Sequence, residues 1–473
     1  MKSTYLLSTI LPLPFAFAAA SVTNLPSNDP KPFRNPEVVT KNKNLRGGSP
    51  KDDLDGPGAL DKVDHRSLSD TTPGIQYNQM GVDISGSVRE DATGHAVAIS
   101  KNGQRMALSS PGERSGHVRI YDWNITDWVQ VGNSIIGHDG SCPGCMDLGY
   151  AIDMNDEGTR VIVGAPKSNR KNGIVSVYEL DSQTETWSRL GSEIGKEIIP
   201  ENSRGHAGES VTMNGAGNRI AFGAPHMNSY KGCIFTMELV DNEWIMMGER
   251  FDASGYYASA GGSVAMDSTG ERLVFGSTYG NWFVGRVDIF DFDRDNNQWV
   301  SSHSTDGEMA YYDQFGGDVD ISDNGERVVV GSTNSDANGK KNSGAFKVLQ
   351  YDSAVGDWSI LGGVNGDSAF DKMGEAVSIS GDGNYVAVSS PKSDHNFLEN
   401  NGKIEIFTYS TITNEWIRHG DAIQGTSSGD RLGEGNGAIA LDFDGTHVVT
   451  GAGRGNYYCG KARVYEASAA PAQ

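Results

Sequence analysis

Basic residues are outnumbered in this 473-residue chain: 39 Lys and Arg stand against 61 Asp and Glu, a formal charge of −22. That balance argues against sequence-independent nucleic-acid binding, which needs clustered cations facing phosphates. Beyond the N-terminus no apolar run reaches the ~18 residues that a bilayer span requires. Catalytic signatures are also missing. There is no Gly-x-Ser-x-Gly elbow, no His-Glu-x-x-His, no phosphate-binding Walker loop and no paired-cysteine zinc pattern. With 21% charged and 37% hydrophobic residues, the chain is neither a disordered polyelectrolyte nor a membrane protein. Glycine, by contrast, is abundant: 61 residues, nearly twice the ~7% average.

The first 20 residues read as an export signal. Lys2 gives the positive start, Leu6 to Ala20 a mostly apolar stretch, and Ala18 and Ala20 the small residues of a cleavage site before Ser21. Cleavage between Ala18 and Ala19 is the alternative. Residues 21–70 carry six prolines and no strand or helix period, and their eight acids balance eight bases. Such a segment buries too little apolar surface to offset its ordering entropy. It is expected to be a disordered linker or propeptide. The acidity therefore belongs to residues 71–467, with 468–473 as a tail.

From there the chain repeats itself. Seven alternating apolar segments each run into a turn glycine, at Gly103, Gly158, Gly217, Gly270, Gly325, Gly383 and Gly445, 53 to 62 residues apart. A regular period of that size marks a repeat architecture. Every unit holds four period-two segments bounded by Gly, Asn, Asp or Ser, which is the strand signal. The fourth opens on a tryptophan in six of the units, at 128, 187, 244, 299, 358 and 416. Four strands repeated seven times around a channel predict an all-β, seven-bladed β-propeller, with the tryptophans packing blade on blade. The seventh unit lacks its fourth strand, while Ile75–Ser85 ahead of the first unit resembles one. Donating it to the last blade would close the ring and remove its exposed edges. A straight β-solenoid is the alternative.

At Gly164-Ala-Pro166, Gly223-Ala-Pro225 and Phe315-Gly-Gly317 the repeat resembles the FG-GAP repeat of the integrin α-chain propeller, over roughly residues 75–466. Ser110-Pro111, Ser390-Pro391, Gly276-Ser277, Gly331-Ser332 and Gly451-Ala452 depart from it. The resemblance implies the propeller fold and a turn that often holds Ca²⁺ through converging oxygens. Here that pattern is degraded. Asp153, Asn155 and Glu157 keep three oxygens, and Asp291, Asp293 and Asp295 form a second partial set. The same residue types are what hairpin turns require. No cofactor is expected, Ca²⁺ being the one ion whose ligand pattern is partly present.

Cys142-Pro-Gly-Cys145 reads first as a local disulfide, with free thiols and a metal or redox role as alternatives. Cys233 opens a third strand as a core residue, and its pairing with Cys459 is left open. Asn124-Ile-Thr126 is the one glycosylation sequon. Glu209 and Glu375 occupy equivalent places at two first strands and could both line the channel mouth, where a glycan hydrolase would need paired carboxylates. No recurrent His, Arg and Tyr set is evident there to orient a sugar.

Connections between second and third strands, and between blades, are long and share one face. They carry Tyr256, Tyr257, Trp282, Phe283, Tyr311, Tyr312, Phe397, Tyr457 and Tyr458. Aromatics with polar neighbours on loops held by a rigid scaffold suit recognition. The expectation is a secreted or cell-surface, non-enzymatic adhesion module that binds an extracellular protein or carbohydrate. The alternatives are a glycan-acting propeller hydrolase or lyase, and a structural wall or matrix component.

Overall fold

The computed structural model describes residues 74–112, 116–137, 147–253, 258–307, 312–336, 339–455 and 459–470. The expectations for residues 1–73, for Cys142 and Cys145, and for Tyr256, Tyr257, Tyr311, Tyr457 and Tyr458 lie outside these residues, as does the side chain of Trp282.

Seven antiparallel sheets form seven blades, each with four principal strands. The innermost strands are Val97–Ile99, Ile152–Met154, Val211–Met213, Ala260–Met266, Phe315–Ile321, Val377–Ile379 and Ile439–Leu441. Each touches the next around the channel, and the last returns to the first. The ring is therefore a closed seven-bladed β-propeller, and the solenoid alternative is excluded.

Closure comes from Ile75–Ser85. It pairs antiparallel with Lys461–Ala469, from Ile75 opposite Ala469 to Ser85 opposite Lys461, and completes the last blade. The last strand thus runs two residues past the expected boundary at 467. Arg463 of that strand forks onto Asp83 of the donated one, at 2.7 and 2.6 Å.

Second strands such as Arg160–Ala165 and Arg219–Ala224 are buried on both faces because a neighbouring blade covers each side. Their sequences accordingly read as continuous apolar runs, which corrects the expectation of period-two alternation in all four strands of a unit. Cys233 is fully buried in the core, as expected. The tryptophans bridge blades: Nε1 of Trp187, Trp244 and Trp299 donates to the carbonyls of Val131, Leu190 and Met247 in the preceding blade.

Two further contacts hold the blades together. In five blades the glycine near the end of the second strand abuts the glycine that opens the next blade, while Ser109 and Ser389 take its place in blades one and six. A Cβ on Gly223 would sit 1.8 Å from the Gly261 carbonyl oxygen, and Gly261 itself has φ +82°. Only glycine fits both places. The second contact is an arginine two residues after each turn glycine. Arg105, Arg160, Arg219 and Arg272 each fork onto an acid of their own third strand. Each also donates Nη1 to a turn carbonyl of the next blade, at 2.8 to 3.1 Å. Arg327 does the same with Gln350 and Gly383. Tyr385 and His447 replace the arginine in blades six and seven.

A chain beginning at Gly74 is expected to keep the full melting temperature, whereas one beginning at Gly86 leaves Lys461–Ala469 as a naked edge and should aggregate or melt well below it. Differential scanning calorimetry with light scattering checks this, and equal behaviour would refute the closure. Replacing Arg160 or Arg219 with Ala removes a partly buried, charge-assisted contact at one interface and should cost about 1–3 kcal/mol, read as a lower urea midpoint.

Candidate functional site

The channel has two unlike mouths. At the short-turn end a ring of backbone hydrogen bonds runs from blade to blade. Lys101 N–H donates to the Asp156 carbonyl, Asp156 to Gly215, Gly215 to Ser268, Ser268 to Asp323, Asp323 to Gly381, Asp382 to Phe443, and Phe443 back to Lys101, at 2.9 to 3.2 Å. Lys101 fills that mouth. Its ammonium lies 3.1 Å from Asp156 and 2.6 Å from Asp323, and 4.6 Å from the centroid of the Phe443 ring.

The channel at this end holds a cavity of about 230 Å³, lined by Lys101, Asp156 and Asp323 together with Asp153, Asp318 and Asp320. The carboxylates are tied to adjacent blades. Asp153 accepts from Thr212 Oγ1 and Met213 N–H, Asp320 from Ser378 Oγ and Ile379 N–H, and Asp318 from Val377 N–H. Enclosure deep in the ring nevertheless disfavours their charge. Burial pushes Asp153 up to about 6 and Asp318 and Asp320 up to about 7, while the N–H donors oppose the shift.

The long-loop mouth is open. Its cavity, about 470 Å³, is lined by Glu209, His226, Tyr279, Lys372, Glu375 and Glu434 among others. Three positions per blade build it, because each repeat presents them at the same point. They are the residue after the glycine that leads into the first strand, as in Glu209, the residue three before it, as in His206, and the second residue beyond the second strand, as in His226. In blade seven these positions are Arg431, Glu434 and Arg454. Glu434 there accepts from both arginines, at 2.7 and 2.6 Å. In blade three, His206 Nδ1 lies 3.3 Å and His226 Nε2 3.9 Å from one Glu209 oxygen, and the imidazole centroids are 4.0 Å apart. Burial lowers the His226 pKa, with His206 and Lys171 adding to the effect and Glu209 opposing it. Burial lowers His95 as well and, with the charges of Glu209 and Asp147, raises Tyr150 to about 12. Burial also raises Glu375, helped by Glu434.

Glu209 and Glu375 therefore both line the mouth, as the repeat register predicts. The expectation that no His, Arg and Tyr set gathers there is corrected. His226 and Tyr279 line it, His206 stands beside its Glu209, and Arg431 and Arg454 stand beside its Glu434, contributed by different blades and so scattered along the chain. The signal was readable only by aligning the seven repeats on their glycines.

Of the expected ligand-binding aromatics within the described residues, Phe283 and Tyr312 are exposed and 5.2 Å apart, and Tyr279 stands 6.0 Å from Phe283. Phe397 is fully exposed on a loop of blade six. Tyr279, two residues past the strand Arg272–Ser277 rather than mid-loop, was not among the expected aromatics. The candidate calcium ligands do not converge. Asp153 faces the channel, Asn155 accepts from Thr159 and Arg160 N–H within its own turn, and Glu157 is exposed. Asp291 is held by Arg272, and Asp293 accepts from the N–H groups of Asp295 and Asn296 in a hairpin turn. Asn124 sits exposed in the hairpin after His117–Trp123, on the short-turn side, with Oδ1 accepting from Thr126.

No protein-family model matches the chain, and no curated protein matches it in sequence. Among solved structures, Kuenenia stuttgartiensis hydrazine synthase aligns with a TM-score of 0.49 and 13% identity, covering 78% of this chain and 95% of that one. A likeness of that size carries no argument about activity. What the fold and its two mouths define is a seven-bladed β-propeller, plugged at one end and open at the other.

An acid whose folded pKa is raised stabilises the protein when protonated, and that contribution is lost as pH rises. For Asp318 the window lies between about 4, the ordinary carboxylate value, and about 7. Asp318→Asn can keep the bond from Val377 without the charge. It should raise the melting temperature at pH 7.5 and leave it nearly unchanged at pH 4.5. A deficit at both pH values would show that the charge is not what costs stability there.

Proposed function

We propose that this propeller is a secreted or cell-surface binding module of the FG-GAP, integrin α-chain-like type, which recognises an extracellular protein or carbohydrate through its long-loop face. The observation that carries the reading is the contrast between the mouths. Lys101 occupies one, whereas the other opens a polar cavity beside the exposed Tyr279, Phe283 and Tyr312. Aromatic faces flanking a cavity lined by both signs of charge suit a polar, ring-bearing or extended ligand. The FG-GAP likeness is supported by the place of its glycines at the blade interfaces, where Gly164 and Gly223 of the Gly-Ala-Pro triplets meet Gly208 and Gly261, and Gly316 of Phe-Gly-Gly meets Gly276.

A glycan-acting enzyme is the second reading. Glu375 favours it, because burial raises the pKa of its carboxyl at the channel mouth, which is the direction a general acid requires.

An array of glycans and extracellular proteins tests the first reading. Once a ligand is in hand, Phe283→Ala and Tyr312→Ala should each weaken binding by about 1–3 kcal/mol. Asn124→Gln, on the opposite face, should remove any glycan there and leave binding unchanged. If the aromatic variants bind normally and the Asn124 variant does not, the working face is the other one. Cleavage of any arrayed glycan, abolished by Glu375→Gln, would establish the enzyme instead.

A further inference from the structure

The repeat builds the same three-residue cluster in blades three and seven and fills it with different chemistry. In blade seven Arg431 and Arg454 flank Glu434 in a closed ion-pair triad. Guanidinium groups stay protonated and offer no lone pair, so that cluster is complete in itself. In blade three His206 and His226 take the two arginine positions around Glu209. A neutral imidazole carries a lone pair, which a guanidinium lacks. A carboxylate is then left facing two nitrogens where its counterpart faces two cations.

The three donor atoms are close enough to share one ion, all lying within 4.8 Å of one another. Ligands about 2.0–2.1 Å from a tetrahedral ion stand roughly 3.3–3.4 Å apart. The His206–Glu209 separation of 3.3 Å already matches, and the 3.9 Å between His226 and Glu209 closes with a small side-chain movement. The backbone holds the parts in place. His206 N–H donates to the Lys171 carbonyl, Glu209 N–H to the His206 carbonyl, and His226 N–H to the Gly205 carbonyl, at 3.1 to 3.2 Å. Glu209 and His226 face the open mouth cavity, which leaves a coordination position accessible from solvent.

We propose that His206, Glu209 and His226 bind one divalent transition-metal ion, Zn²⁺ foremost, at the long-loop mouth. Two imidazoles and one carboxylate suit zinc and its transition-metal neighbours, whereas Ca²⁺ and Mg²⁺ demand more oxygen ligands. Three protein ligands with a fourth position open match a site that takes water or a ligand oxygen rather than a closed structural one.

The test is calorimetric titration of chelator-treated full-length protein with Zn²⁺, paired with Co²⁺ absorption spectroscopy. One equivalent of Zn²⁺ per chain is expected, undisturbed by excess Ca²⁺ or Mg²⁺, with a Co²⁺ spectrum of tetrahedral or five-coordinate intensity and a melting temperature raised by Zn²⁺. The double substitution His206→Arg, His226→Arg copies the blade-seven triad. It should fold with an unchanged circular dichroism spectrum and lose the site. Glu209→Gln should weaken binding at least about ten-fold, and His303→Ala, on a fourth strand away from the mouth, should leave it intact. Absence of a stoichiometric Zn²⁺ site in the unmodified protein overturns the proposal, as does a titration unchanged by the double Arg substitution. Should that double variant misfold, His226→Gln takes its place, and full retention of binding by it likewise overturns the assignment.

Discussion

Everything in this molecule depends on how closely one blade can approach the next. A four-stranded sheet with both faces apolar is unstable alone, and each blade here is covered only by its neighbours. The distance is set at the paired glycines, where the Gly223 position lies against the Gly261 carbonyl with no room for a side chain. The arginines after the turns add direction to that contact. Each is anchored by an acid on its own blade and reaches a carbonyl on the next, so the charge is neutralised locally while the spare N–H orients the neighbour. A partly buried charge tolerates this only when every donor is satisfied. The seventh interface, where the ring must close between distant parts of the chain, uses His447 and Asp442 against Gly103 instead.

Close approach also explains why the two mouths differ. The short turns between first and second strands meet in a nearly circular ring of backbone hydrogen bonds, which draws Lys101, Asp156 and Asp323 together and fills that end. The long loops on the other side cannot converge in this way, so their polar residues stand around a cavity. The scaffold is thus rigid where it needs no ligand and open where side chains vary from blade to blade. Blades three and seven show the consequence. Identical backbone positions carry His-Glu-His in one and Arg-Glu-Arg in the other, so changes at two positions alter the chemistry without disturbing the fold.

Much of the architecture was legible beforehand because it is written locally and then repeated. Turn glycines, strand alternation and the recurring tryptophans each report on a few neighbouring residues, and their period reveals the number of blades. The donated strand was legible for the same reason: Ile75–Ser85 has the pattern of a fourth strand with no unit of its own. The arginine two residues after the turn glycine is equally regular in the sequence, yet its role is invisible there. Its partners lie 17 to 23 residues away in its own blade and 50 to 57 away in the next.

The sequence by itself determined that the chain is all-β, that it has seven units of four strands, and that its first strand belongs to its last blade, because short-range pattern and periodicity specify each of these. Beyond Glu209 and Glu375, which the repeat register already placed at one mouth, only the tertiary structure decided which residues meet there. The channel carboxylates come from blades two and five, and the His, Tyr and Arg residues at or beside the open cavity come from blades three, four and seven. Closing the ring brings such residues within a few ångströms of one another, and that proximity, with the exclusion of bulk water deep in the channel, turns ordinary turn and strand residues into shifted acids and a metal-competent triad.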